Sequence, residues 1–342
     1  MKRLRPKAID LFSGCGGLSV SLELAGFDVV AAVEADALAA ATYRDNHPQT
    51  LVEQRDIKKI KPKHLLTRLG INVEELDLLA GCPPCQGFSS LRTLNGARTI
   101  EEPLNDLVFE FLRFVRAMRP RAIMLENVPG LLNDDRLNVF KKYLHKLGYI
   151  SNADVFNAVN YGVPQRRRRM ILMAIRGKQP AFGSEVEERV SVRDAIGSLP
   201  EPSRSTDPSH NYPEKRAPHV LELIRNIPKD GGSRSSLAYE SQLPCHQKTD
   251  GFKDVYGRMA WEKASPTITG GCTNPSKGRF LHPSQDRATT LREAALLQGF
   301  PADYKFDMSK SRQANAQMIG NAFPPAFAAQ HAKALRLQLQ EN

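Results

Sequence analysis

Short apolar runs of strand length alternate with amphipathic helical patterns through the first half of this 342-residue chain. Ala8 to Phe12 reads as a strand, Leu18 to Ala25 as a helix, Val29 to Glu34 as a strand and Asp36 to Asn46 as a helix capped by Asp36. Further on, Asp77 to Ala80, Ala122 to Leu125 and Met170 to Ile175 are continuous apolar runs, with helical stretches at Asp106 to Met118 and Leu137 to Leu147 between them. Runs of this kind suit strands buried on both faces, so the sequence predicts a parallel α/β sheet wrapped by helices. The pattern changes after Gly177. From Lys178 to Pro283 prolines, glycines and polar residues are frequent and helical periodicity is weak, which predicts a second, loop-rich module. Order returns in an amphipathic helix at Thr290 to Gln298, capped by Thr289 or Thr290, and in Pro324 to Gln340.

No window holds the roughly 18 apolar residues that a membrane-spanning helix needs, and the basic Met1 to Lys7 segment leads into a strand instead of a signal-peptide core. The protein is therefore expected to stay where it is made. Lys and Arg total 48 against 37 acids, a formal net charge of +11, which points to a polyanionic partner, nucleic acid first. Five cysteines, an odd number spread along the chain, argue for free thiols in a reducing compartment.

Four stretches carry chemistry. The opening strand runs into Phe12-Ser13-Gly14-Cys15-Gly16-Gly17 and a helix, and Glu34 closes the next strand twenty residues beyond Gly14. Glycines there permit close backbone approach to a ligand at a helix N-terminus, and the acid stands where ribose hydroxyls would bind, so the pattern reads as an adenosine-type cofactor site. Asp56-Ile57 follows a weaker strand and is either an adenine contact or a surface turn. Gly81-Cys82-Pro83-Pro84-Cys85-Gln86-Gly87-Phe88-Ser89 follows another strand, where open α/β sheets bind ligands. Cys85 there is a candidate nucleophile. A zinc half-site is disfavoured because Cys245 and Cys272 form no second close pair, whereas a redox Cys-x-x-Cys stays open on these residues alone. Glu126-Asn127-Val128 ends a buried strand, so its carboxylate is either a structural network member or a catalytic acid. In Gln165-Arg166-Arg167-Arg168-Arg169, Gln165, Arg167 and Arg169 share one face of an extended chain. Arginines placed at a sheet edge are suited to meet a phosphate or a base edge.

In this order, these pieces resemble the cytosine-5 DNA methyltransferase family of the bacterial modification type. Asp10 to Gly17 is similar to its cofactor motif, Gly81 to Ser89 to its nucleophile loop, Glu126-Asn127-Val128 to its acid motif and Gln165 to Arg169 to its Gln-x-Arg-x-Arg motif. Arg292 to Pro301 and Gln317 to Pro325 match the last two motifs. The resemblance removes the redox reading. It implies a doubly wound, Rossmann-like methyltransferase sheet spanning residues 1–177 and completed by 315–342, and a smaller, irregular target-recognition domain at 178–314. DNA would lie between the two, in a monomer that uses no metal.

It also implies a mechanism. Cys85 adds to C6 of cytosine, Glu126 engages N3, and the activated C5 takes the methyl group of S-adenosylmethionine. Loss of the C5 proton then expels Cys85. Arg167 is expected to lower the Cys85 pKa, and Gln165 and Arg169 complete the catalytic set. Because C6 is inaccessible in a stacked duplex, the base must be flipped out, with the 86–99 stretch as a lid. Phe12, Gly14, Gly17, Leu18, Glu34, Asp56, Ile57, Pro83 and Asn321 would line the cofactor site. Ala35 stands where some members carry an aromatic residue, so adenine stacking falls to Phe12, and Ala322-Phe323 also departs from the last motif. Thr267-Ile268 is similar to the pair near the end of the recognition region. The resemblance further implies a cytoplasmic enzyme acting on a short duplex DNA sequence, with a separately encoded restriction endonuclease as a possible partner. Two rivals remain, a tRNA methyltransferase of the same family and a DNA-binding regulator without turnover.

Overall fold

The computed structural model of the chain describes residues 5–84, 107–238, 242 and 254–341. Cys85, the 86–99 stretch and Cys245 lie outside them. The chain divides into two compact units: Met1–Tyr161, Arg168–Val186 and Phe323–Asn342 form the first, and Gly162–Arg167 and Glu187–Ala322 the second. These boundaries differ from those drawn at residues 177 and 315. Residues 178–186 stay with the first unit because Gly183 N–H donates to His331 Nδ1 at 3.2 Å and Ala181 N–H to Gln338 Oε1 at 3.1 Å. The helix ending at Asn321 goes with the second, where a Cβ on Gly320 would stand 2.2 Å from the carbonyl carbon of Thr269.

The first unit is built on seven strands: β1 (Lys7–Leu11), β2 (Asp28–Glu34), β3 (Leu51–Gln54), β4 (Leu78–Gly81), β5 (Ala122–Asn127), β6 (Tyr149–Asn157) and β7 (Arg168–Arg176). Their order in the sheet is β3-β2-β1-β4-β5-β7-β6. The first five run parallel, as the apolar runs predict, but β7 pairs antiparallel with both β5 and β6, so the sheet is mixed. A buried apolar run reports burial, not direction. The edge strand β6, with its exposed and half-buried residues, lacks such a run altogether.

Among the described residues, five helices lead between these strands or follow them: α1 (Gly17–Leu24), α2 (Ala37–Asn46), α3 (Pro62–Arg68), α4 (Leu107–Met118) and α5 (Asp135–Lys146). Asp36 caps α2 as read from the sequence, accepting from Ala39 N–H at 2.8 Å. One sheet face buries Ile9, Leu11, Leu79, Ile123 and Leu125 against Phe111, Phe114 and Met118 of α4 and Phe140 of α5. Each such aromatic stabilises the fold by about 2 to 3 kcal/mol relative to exposure. Alternation along β1 turns Asp10 away from that core, toward Ser19 of α1. The helix nearest the C-terminus, Pro325–Gln340, packs against α1.

The second unit carries α6 (Val192–Ile196), α7 (Pro218–Asn226), α8 (Leu291–Gln298) and α9 (Arg312–Asn321), so the C-terminal helix of the first unit is α10. With few regular elements, its loops are held by buried arginines. Arg258, fully buried, donates to the carbonyls of Ile224, Ile227, His282 and Gln285 and to Asp286. Thr290 caps α8 in a reciprocal box with Glu293, and the buried Glu293 is neutralised by Arg287 at 2.6 Å. Among the described residues, no helix is long and apolar enough to cross a membrane.

Candidate active site

The carboxyl ends of β1, β2, β3, β4 and β5 lie side by side, and each delivers a residue singled out in the sequence. Phe12 leaves β1 half-buried, with a left-handed φ of 61°. The chain then turns through Gly14 and Gly16, at φ 54° and 101°, into α1. Glycine adopts these angles without the Cβ clash that penalises other residues. Gly16 is the N-cap of α1 and supplies no side-chain acceptor, so the helix opens with uncapped N–H groups. Gly17 and Leu18 begin the helix and are buried. At the end of β2 the Glu34 carboxylate accepts from Gly14 N–H at 2.8 Å and from Asp36 N–H at 2.7 Å. Burial raises its pKa against the pull of those N–H donors.

Asp56, after β3, is exposed and accepts from Lys58 N–H at 2.9 Å, while the Ile57 side chain is buried in the core. Beneath the glycine turn, Asp10 is fully buried. Its Oδ2 accepts from Ser19 Oγ at 2.7 Å, and Ser19 Oγ lies 2.6 Å from Tyr43 OH. Asp10 Oδ1 has no partner among the described residues. Burial is the main cause that pushes the Asp10 carboxyl up to about 7, opposed by Ser19 and reinforced by the charge of Glu34.

The second cluster lies at the tips of β4, β5 and β7. Glu126 is 8% exposed, and its Oε1 pairs with Arg169 Nε at 2.9 Å. Asn127 Nδ2 donates to Pro83 O at 2.9 Å, tying the Pro-Pro segment to β5. Burial, and then the charge of Glu126, pushes the Cys82 thiol well above its ordinary range. A thiol so placed is a poor nucleophile. Cys85 lies outside the described residues.

Burial along the arginine run alternates as expected: Gln165 and Arg167 are buried and Arg169 is half-buried, while Arg166 and Arg168 are exposed. The three inward residues nevertheless serve different partners. Arg169 belongs to the first unit with Glu126. In the second unit, Arg167 donates to Ile268 O at 3.0 Å and Gly320 O at 3.1 Å. Gln165 donates to Gln298 Oε1 at 2.6 Å and accepts from Ile268 N–H at 2.9 Å. Asn321, also in the second unit, is exposed and accepts from Gln317 at 3.0 Å. Asp10 and Cys82 escaped the sequence reading as site residues. The only available signal was a polar residue standing inside or directly after an apolar strand.

The mixed seven-stranded sheet with flanking helices is the Rossmann-like methyltransferase fold. The chain belongs to the C-5 cytosine-specific DNA methylase family, whose model matches residues 6–336. It is 34% identical over 351 residues to the Type II methylase M.HgiDII of Herpetosiphon aurantiacus, covering 97% of this chain and 95% of the relative. With the Type II methyltransferase M1.HphI of Haemophilus parahaemolyticus it shares 33% over 342 residues, covering 98% and 87%. A crystal structure of a prophage-encoded E. coli protein assigned as a DNA modification methyltransferase superposes with a TM-score of 0.70 at 25% identity, covering 98% of this chain and all of that one.

Proposed function

We infer that this protein methylates C5 of a flipped-out cytosine in a short duplex DNA sequence, as the modification partner of a separately encoded restriction endonuclease. The observation that carries this reading is the Glu126–Arg169 pair at the tip of β5, one strand from the segment that leads into Cys85. Family membership supports a methyltransferase acting on DNA. S-adenosylmethionine fits the first cluster: Glu34 offers carboxylate oxygens to ribose hydroxyls, and the uncapped start of α1 beside Phe12 and Gly14 offers N–H donors. Gly17, Leu18, Asp56, Ile57, Pro83 and Asn321 complete the proposed cofactor set. When bound, the cofactor supplies an electrophilic methyl group.

The protein's own task is to make C5 nucleophilic. Cys85 as thiolate adds to C6, and the displaced π electrons build charge on C5 and across the ring to N3. Glu126 meets that charge with a proton at N3, and Arg169 fixes the carboxyl for it. Gln165 and Arg167 act by holding the 265–268 segment and the end of α9. Removal of the C5 proton then returns an electron pair to the ring and expels Cys85. The loop-rich second unit is the proposed target-recognition region, with its side chains on base edges and its Lys and Arg on phosphates. A reduced, cytoplasmic, monomeric enzyme that needs no metal completes the proposal.

Incubation with S-adenosylmethionine and 5-fluorocytosine duplex DNA tests it, because fluorine at C5 blocks the elimination that follows methyl transfer. The wild type should form a covalent complex stable to denaturation, and Cys85→Ser should form none while keeping its cofactor affinity. An undiminished covalent yield from that variant, or methyl transfer to tRNA and none to duplex DNA, would overturn the reading. Bisulfite sequencing of expressing cells reports the target sequence.

A further inference from the structure

Beside Glu126 stands a residue that this chemistry leaves unused. β4 and β5 run parallel with Gly81 next to Leu125, and two residues on Asn127 Nδ2 bonds to Pro83 O at 2.9 Å. Cys82 and Glu126 are thus neighbours held between two fixed points, and in-register neighbours on adjacent strands project to the same face. By this register the Cys82 side chain lies beside the Glu126 carboxylate from the β4 side, while Arg169 holds Oε1 from β7 at 2.9 Å.

We propose that Cys82 is a positioning residue for Glu126, gripping the carboxyl from the β4 side while Arg169 grips it from the β7 side, so that the acid meets the pyrimidine edge in one orientation. This rests on reading Glu126 as the group that faces N3. A thiol suits the task. The charged groups around Cys82 are Glu126 on β5, Asp10 on β1 and Arg169 on β7, and both carboxylates oppose its ionisation. Cys82 therefore stays protonated, donates without adding charge, and cannot compete with Cys85 for C6.

Steady-state kcat and KM on duplex DNA test the proposal with Cys82→Ala and Cys82→Ser. In C82A kcat should fall roughly three- to tenfold, the size expected for one weak donor to a charged group, with both KM values within about twofold of wild type. C82S keeps a donor and should restore the rate. If C82A does not fold, Cys82→Val takes its place, filling the space without donating. Wild-type kcat in C82A, or equal impairment of C82S and C82A, would overturn the proposal. Glu126→Gln separates the two layers: full activity there removes the Glu126 reading and this inference with it. An inactive E126Q beside an unaffected C82A removes the inference alone.

Discussion

Asp10 makes the stability of the first unit depend on pH in an unusual direction. Its carboxyl sits at about 7 in the folded protein against 3.8 when exposed, because burial disfavours the charged form more than the Ser19 bond favours it. A folded pKa above the unfolded one means that the folded state binds the proton more tightly. The associated stability is fully present below pH 3.8 and is lost as pH rises through 7. At about 1.4 kcal/mol per pH unit, the complete transition is worth roughly 4 kcal/mol, of which roughly 3 falls between pH 5 and pH 9. Asp10→Asn accepts the same Ser19 hydrogen bond and carries no titrating proton. Urea unfolding followed by far-ultraviolet circular dichroism at pH 5, 6, 7, 8 and 9 should show D10N losing roughly 3 kcal/mol less than wild type over that span. The mutant should be the more stable protein at pH 9. Because Asp10 and Ser19 clasp the two ends of the glycine turn, wild-type cofactor affinity should weaken over the same range while that of D10N holds. Parallel stability curves for the two proteins would refute the argument, since they would show that Asp10 does not change protonation on folding.

Glu34→Ala strips the acceptor from Gly14 and Asp36 N–H and should raise the cofactor Kd by roughly ten- to a hundredfold, measured by titration calorimetry; an unchanged Kd would remove Glu34 from the site. The two inward arginines should fail in different ways. Arg169→Ala leaves Glu126 without its cation and should cut kcat by at least about tenfold with little change in thermal unfolding. Arg167→Ala removes two buried bonds to carbonyls and should destabilise the second unit by roughly 2 to 4 kcal/mol. Equal effects of the two substitutions on kcat and on the unfolding midpoint would contradict this division.

Features confined to one strand and its next turn were legible in the sequence. The Gly14 turn and the Asp36 cap follow from residues a few positions apart whose conformational demands are local, and Glu34 stands at the end of the very next strand. What lay hidden depends on which strand comes next in space. Cys82 acquires its meaning from being one strand away from Glu126, and no periodicity within β4 carries that information. Alternation correctly placed Gln165, Arg167 and Arg169 on one side, yet it does not show where the chain changes partners. Gln165 bridges to Ser265, whereas from Arg168 onward the chain pairs with β6 inside the sheet. The shift in composition at Gly177 marked the end of β7, but the next nine residues are retained by α10, some 150 positions later.

That retention bears on synthesis. The strands of the first unit precede the second unit in the chain, while α10, which packs on α1, is made only after the whole second unit has been synthesised. A nascent chain thus holds its glycine turn beside an unfinished face, and contacts of such long sequence separation form slowly. This packing closes only once residues 325–340 have found a helix laid down some 300 residues before.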